Sequence, residues 1–138
     1  MGTIVLGYDA SPGAGRALDT GLDLAQQFGD RLVIAFGAAP PGPPTEEETE
    51  HHHALEELGA RVTAGALGRA RDAGIEAEVE LVPKRPSAAL TELAEREDAR
   101  MIVVGTYGES PIKGAILGST PHKLLHLSDR PVLVVPGG

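Results

Sequence analysis

The stretch TIVLGYDASP at residues 3–12 decides the fold, because within it an apolar run gives way to a glycine, an acid and a helix start. The apolar run at residues 3–6 is short and bounded by Gly7, as expected of a strand that is buried on both faces. Ser11 followed by Pro12 is typical of a helix N-cap and its first helical residue. A buried strand that leads directly into a helix predicts a β–α unit of a parallel sheet.

The rest of the chain repeats this alternation of strand and helix. Further apolar runs predict four more strands, at residues 32–36, 75–81, 101–104 and 132–135. Three more helices are predicted to start at Thr45, at Pro86 and at about Pro121. Because crossovers between parallel strands are right-handed, this succession predicts an α/β fold, an open sheet with helices on both of its faces.

The first helix is predicted to bury one face. Its small and apolar residues recur at spacings of three and four until Gly29 stops the pattern. The residues predicted to face inward are Ala14, Leu18, Gly21, Ala25 and Phe28.

The third predicted strand differs from the others because its polarity alternates. Ile75, Ala77, Val79 and Leu81 are separated by glutamates, so one face packs while the other meets water. This strand is therefore predicted at an edge, and the unbroken first and fourth strands are predicted at the centre. The simplest order that meets these demands is 3-2-1-4-5. Ligands of such sheets bind outside the carboxyl ends of the strands, where the chain direction reverses between the first and fourth strands.

Length and composition limit the classes of protein to which the chain can belong. Its 138 residues suit one domain, 1–138. With no cysteine, disulfides and cysteine-based zinc sites are excluded, which favours a cytoplasmic location. The amino terminus has neither a basic flank nor a long apolar run, so neither secretion nor a membrane partner is predicted. A net charge of -8 and 3% aromatic residues also disfavour a nucleic-acid partner.

The glycine-containing loop after the fourth strand reads GTYGESPIKGAILGST at residues 105–120. Its glycines permit a close backbone approach to a ligand, or a positive φ. Ser119 or Thr120 can cap the next helix, with Pro121 in its first turn, and the N–H groups of such a helix start attract anions. This loop meets residues 7–11 at the predicted switch point. A phosphate-bearing ligand is therefore predicted there.

The spacing Gly105-x2-Gly108-x9-Gly118-Ser119 resembles the pattern that the ATP-binding universal stress protein family carries after its fourth strand. Residues 4–11, 101–105 and 131–136 also resemble the family's opening, fourth and closing strands. This resemblance implies a Rossmann-like fold with ATP as its ligand, with or without Mg²⁺. It implies that the phosphates are surrounded by Gly105, Gly108, Gly118, Ser119 and Thr120.

The resemblance also implies contacts to the rest of the nucleotide. Asp9, with backbone near Tyr8, would hold the ribose or adenine, and backbone near Gly37 would contact adenine. The implied function is that of an ATP-binding regulatory module of the stress response. A homodimer through residues 132–135 is implied as well, and the unpaired backbone of an apolar edge strand independently favours such association.

Two further function classes remain open beside that of a regulatory module. A slow ATP-hydrolysing enzyme would need a general base, and Asp9 is the only acid that the sequence places at the crevice, so at most weak hydrolysis is predicted. A nucleotide-independent dimeric interaction domain would not need the intact glycine pattern.

Other motifs are weaker. Gly13-x-Gly15-x-x-Leu18 lacks the third glycine of a dinucleotide fingerprint, and Lys113-Gly114 reverses the order of a P-loop. Two groups are predicted to be solvated: the consecutive residues His51, His52 and His53, which fan apart on a helix, and the pair Lys84-Arg85, placed well away from the switch point. A triad of Ser119, His122 and Asp9 is better explained by capping and solvent exposure.

Overall fold

The computed structural model describes residues 1–9, 11–37, 46–82, 84–106 and 119–136, with residues 46–56, 58 and 119 described by their backbone. Strands and helices alternate throughout this part of the chain. The strands are β1 (Thr3–Gly7), β2 (Arg31–Gly37), β3 (Ala77–Val82), β4 (Met101–Gly105) and β5 (Val132–Val135). The helices are α1 (Pro12–Phe28), α2 (Glu46–Asp72), α3 (Pro86–Arg96) and α4 (Ser119–Leu127). None of the described helices is both long enough and apolar enough to span a bilayer.

All neighbouring strands are parallel, and the sheet order is β3-β2-β1-β4-β5. The predicted order is therefore confirmed. In the central pairs Leu6 lies opposite Val103 of β4 and opposite Ile34 of β2. The carboxyl ends of β1, β2 and β4 consequently meet at one edge of the sheet.

The central strands are apolar on both faces because helices cover both. Ile4 and Leu6 belong to a core cluster with residues of α1 and α2. Val5, between them, belongs to a second cluster with Leu90 of α3 and Leu124 of α4. Since successive side chains of a strand point to opposite faces, a strand between two helical layers needs an unbroken apolar run.

The edge position predicted for β3 is confirmed, because β2 is its one neighbour in the sheet. The strand begins at Ala77, two residues after the predicted start at Ile75. Ile75 is nevertheless buried, and its backbone N–H donates to the carbonyl of Ala70 at the end of α2. Ile75 is therefore buried as part of the turn between α2 and β3. Alternating polarity alone does not distinguish such a turn residue from a strand residue.

The predicted inward face of α1 is correct at four positions and wrong at Phe28. Ala14, Leu18, Gly21 and Ala25 are buried, whereas Phe28 is 46% exposed. Phe28 is the last residue of the helix, and the guanidinium of Arg100, just before β4, lies 4.4 Å from its ring centroid. The Phe28 side chain therefore packs against the guanidinium of Arg100 and not into the core.

Helix α4 begins earlier than predicted. Ser119 and Thr120 are already helical, so neither acts as the cap of a helix that starts at Pro121. Pro121 is the third residue of the helix. Proline is tolerated there because the N–H groups of a first turn have no intrahelical acceptor.

Candidate functional site

A crevice opens at the carboxyl edge of the sheet, at the predicted switch point between β1 and β4. Its volume is about 560 Å³ including the opening to solvent. Its walls come from the ends of three strands and the starts of three helices. The lining residues are Gly7, Tyr8, Asp9, Ser11, Ala14, Ala35, Phe36, Gly37, Pro86, Leu90, Val104, Gly105, Thr120 and Pro121.

Asp9 is held in place by the start of α1. Its Oδ1 accepts a hydrogen bond from the backbone N–H of Ser11 at 2.9 Å. Ser11 is the N-cap, as predicted, and its Oγ accepts from the N–H of Ala14 at 3.2 Å. No described residue donates to the second carboxylate oxygen of Asp9, and Asp9 is the one charged side chain among the described lining residues.

The backbone of Tyr8 is partly committed to the sheet. Its N–H donates to the carbonyl of Ala35 at 3.0 Å, which extends the pairing of β1 with β2 by one residue. Tyr8 therefore lies in the crevice as predicted, but its N–H is already satisfied within the fold.

Gly37 closes the opposite side of the crevice at the end of β2. A Cβ at this position would lie 3.0 Å from the carbonyl oxygen of Lys84 and from Cα of Pro86. A side chain here would have to displace the start of α3 by a few tenths of an ångström, so glycine favours the close approach of β2 to α3. This approach brings Pro86 into the crevice wall, whereas the neighbouring Lys84 and Arg85 are exposed, as predicted, and are not among the lining residues. The Lys84 side chain itself is half-exposed and pairs with Glu92, with Nζ and Oε2 2.7 Å apart.

Gly105 ends β4 against the first turn of α1. A Cβ on Gly105 would lie 2.7 Å from the carbonyl carbon and oxygen of Gly13. Gly13 is itself buried. Gly13, the first glycine of the incomplete dinucleotide fingerprint, therefore allows α1 to pack closely against β4.

The structure brings together five of the eight predicted site residues. Tyr8, Asp9, Gly37, Gly105 and Thr120 line one crevice, and Ser119 precedes Thr120 in the first turn of α4. The side chain of Ser119 and the whole of Gly108 and Gly118 lie outside the described residues. Of the alternative groups, His51, His52 and His53 fall in α2, where their side chains are not described.

The sequence-based prediction missed the apolar part of the wall. On the side formed by β2 and α3, this part of the wall consists of Ala35, Phe36, Pro86 and Leu90. The strand order contained a signal for the first two, because β2 neighbours β1 and its carboxyl end must reach the same edge. The last two come from α3, which approaches through tertiary packing. With these residues the crevice can hold a ligand that combines a flat apolar part with donors for Asp9.

A model of the universal stress protein family matches residues 1–136. A universal stress protein of Thermus aquaticus is 33% identical over 137 residues, covering 96% of this chain and 97% of that protein. Universal stress protein YxiE of Bacillus subtilis is 32% identical over 81 residues, or 59% of this chain. A universal stress protein of Mycolicibacterium smegmatis is 34% identical over a stretch of the same length. These two matches span 55% and 26% of the relatives' own lengths.

Solved structures share the fold over nearly the whole chain. The protein MJ0577 superposes with a TM-score of 0.87 at 22% identity, covering 98% of this chain and 95% of that one. A universal stress protein in complex with cAMP has a TM-score of 0.75 at 31% identity, with 99% and 98% covered. Another, from Archaeoglobus fulgidus in complex with dAMP, has a TM-score of 0.71 at 21% identity, with 98% of each chain covered.

Proposed function

Because the chain belongs to the universal stress protein family, we propose that it binds an adenine nucleotide in the crevice at the carboxyl ends of β1, β2 and β4. The observation that carries the proposal is a fixed carboxylate, Asp9, beside an apolar wall at the switch point of the sheet. The cAMP and dAMP complexes of proteins with this fold support the same class of ligand.

The nucleoside occupies the side of the crevice formed by β1, β2 and α3. The adenine ring packs against the apolar wall of Phe36, Pro86 and Leu90, which buries its faces. The second carboxylate oxygen of Asp9 accepts from a ribose hydroxyl, while Ser11 holds the first. The ring edge contacts the backbone at the end of β2, where Gly37 lines the crevice.

The phosphates extend toward the loop after β4 and the start of α4, and we assign ATP, with or without Mg²⁺, as the ligand. Thr120 lines the crevice, and the first turn of α4 has N–H groups without intrahelical acceptors. Such groups attract anions locally, even in a chain with a net charge of -8. The sequence resemblance adds Gly105, Gly108, Gly118 and Ser119 to this phosphate side.

The proposed role is that of a nucleotide-dependent regulatory module in the cytoplasm, and not of an efficient hydrolase. Among the described lining residues Asp9 is the one carboxylate, and Ser11 occupies one of its oxygens. A general base for water needs a free acceptor beside the phosphate, whereas Asp9 serves the nucleoside side of the proposed pose.

Calorimetric and thermal titrations test the proposal. ATP at about 100 times its dissociation constant should stabilise the fold by about 2.7 kcal/mol, because it binds the native state alone. NAD should give no shift, since its second nucleoside has no place in the pose. Titrations with AMP and cAMP, with and without Mg²⁺, show whether binding requires only the nucleoside or also the polyphosphate.

Mass spectrometry of small molecules released from protein purified without added nucleotide gives an independent check. An adenine nucleotide in that extract supports the proposal. Equal melting shifts with ATP and NAD, or no shift with any adenine nucleotide, would refute it.

A further inference from the structure

Helix α4 carries two histidines outside the crevice, His122 and His126. Their spacing of four residues places them on the same face, one turn apart. Both are exposed, and their ring centroids lie 5.1 Å apart with an interplanar angle of 73°. Neither lines the crevice, and the contact of His122 with His126 leaves no support for a triad with Asp9.

The separation of the two rings is that of a chelating pair. A tetrahedral zinc ion holds imidazole nitrogens at about 2.0 to 2.1 Å, and each ring centroid lies about 1 Å behind its nitrogen, so chelating rings have centroids about 5 Å apart. The observed 5.1 Å therefore needs no movement of the helix backbone. Rotation of the two side chains would then direct one nitrogen of each ring at a shared point.

The helix offers the pair a rigid base. Pro121 and Leu124 are buried, and Leu124 is fully inaccessible in the core cluster under α3 and α4. The opposite face of α4 thus presents the two imidazoles to solvent from an anchored helix. A chelate formed on a rigid helix loses little conformational entropy compared with one formed on a loop.

We propose that His122 and His126 form a binding site for a divalent transition-metal ion such as Zn²⁺, Ni²⁺ or Cu²⁺. Imidazole nitrogen suits these ions, whereas Mg²⁺ and Ca²⁺ require oxygen ligands. In the part of the chain that the structure describes, no third His, Cys, Asp or Glu completes a group of three with the pair. Water fills the remaining positions, so the ion exchanges readily with the solution.

The metal site also acts on helix α4. An ion that bridges residues 122 and 126 clamps one full turn of a nine-residue helix, and this favours the helical state. The first turn of the same helix supplies Thr120 and Pro121 to the crevice. The site itself is independent of the proposed nucleotide, so failure of either proposal leaves the other intact.

Titration of the untagged full chain with ZnCl₂ and NiCl₂ by calorimetry tests the site. His126→Gln should lower the affinity by about tenfold or more, since even loss of an outer-sphere partner costs 10-fold to 100-fold. Continuous-wave electron paramagnetic resonance with Cu²⁺ should show two equatorial nitrogens in the parent and one in this variant. Circular dichroism confirms that each variant keeps its fold.

Two matched variants separate the pair from the other histidines. H126Q/L127H keeps five histidines but sets the spacing at five, which turns the rings about 140° apart, so chelation should be lost. Leu127 is exposed, so this change leaves the core intact. H51Q/H52Q/H53Q removes the remaining histidines and should bind as the parent does. Parent-like Zn²⁺ affinity in H126Q/L127H, loss of binding in H51Q/H52Q/H53Q, or no binding by the parent would each overturn the proposal.

Discussion

Glycines of this chain that look alike in the sequence have different physical roles. Gly105 ends β4 and Gly15 lies in the first turn of α1, so both are close to the switch point. A Cβ on Gly105 would enter the backbone of Gly13 at 2.7 Å, whereas a Cβ on Gly15 would meet nothing within 4 Å. Gly105 thus permits a helix–strand contact, and Gly15 only adds backbone freedom within α1.

Alanine substitution should separate these roles. Gly105→Ala should destabilise the fold by about 1 to 3 kcal/mol, because neither backbone segment can move away at low cost. Gly15→Ala, the matched control, should stabilise it by about 0.5 to 1 kcal/mol through the lower entropy of the unfolded chain. Urea unfolding followed by circular dichroism measures both. Equal stability of the two variants would show that the contact with Gly13 is not rigid.

Asp9 has two separable functions, one for each carboxylate oxygen. Asp9→Asn retains an oxygen for the N–H of Ser11 but removes the second acceptor, so the proposed ribose hydroxyl loses its partner. A lost hydrogen bond costs about 0.5 to 1.5 kcal/mol, or up to about a tenfold loss of affinity. Asp9→Ala should also loosen the start of α1. Calorimetric titration with ATP measures both variants, and undiminished affinity in Asp9→Asn would place the ribose elsewhere.

At the scale of elements, one buried carboxylate joins three strands at the amino edge of the sheet. Asp30, just before β2, accepts from the N–H of Gly2 before β1 at 3.0 Å. It also accepts from Nε of Arg100, before β4, at 2.6 Å. The side chain of Asp30 is 1% exposed, and the hydrogen bond from Arg100 lowers the pKa of its carboxyl despite the opposing effect of burial.

The lowered pKa of Asp30 makes stability dependent on pH. Because the folded pKa lies below the unfolded value, the contribution of Asp30 is present above the unfolded pKa, about 3.9. It is lost as the pH falls through the folded pKa. Asp30→Asn should therefore destabilise the protein strongly at pH 7 and progressively less below about pH 4.

Denaturant unfolding at a series of pH values measures this difference between parent and variant. Glu76→Gln, which alters an exposed carboxylate before β3, provides the control and should follow the parent. A gap between Asp30→Asn and the parent that stays constant from pH 7 to pH 3 would contradict the assignment.

At the scale of the whole molecule, the outer edge of β5 is the surface on which the predicted homodimer depends. The N–H of Ile102 donates to the carbonyl of Pro131 at 2.9 Å, so the backbone groups of Pro131 and Leu133 face β4. Those of Val132 and Val134 face away from β4. Leu133 is also 37% exposed, which leaves apolar surface beside this edge. We propose that two copies pair antiparallel along β5.

Val134→Pro should weaken this dimer while leaving the domain folded. The substitution removes an N–H that faces outward, and proline is tolerated in an edge strand when its N–H side faces away from the sheet. Light scattering at tens of micromolar should report a dimeric mass for the parent and a lower mass for the variant. Leu133→Pro, which removes a donor to β4, should unfold the strand instead. A monomeric parent would refute the proposed dimer.

Short-range signals in the sequence were enough to determine the architecture. Unbroken apolar runs identified β1 and β4 as central, and the glutamates that alternate along β3 identified an edge strand. From these the order 3-2-1-4-5 and the position of the crevice follow, because parallel strands carry their carboxyl ends to the same edge. The prediction that Ser11 is an N-cap also rests on local sequence, because it depends only on the helical residues that follow Ser11.

The features that only the tertiary structure decided are contacts between residues far apart in the chain. Only packing shows that Pro86 joins the crevice wall, that Gly105 abuts Gly13, and that Phe28 lies under Arg100 instead of in the core. Hydrophobic periodicity predicts whether a residue is buried, but it does not predict which residues pack against it. These contacts form when separate elements meet at a common edge, and their distances are therefore set by the fold and not by local sequence.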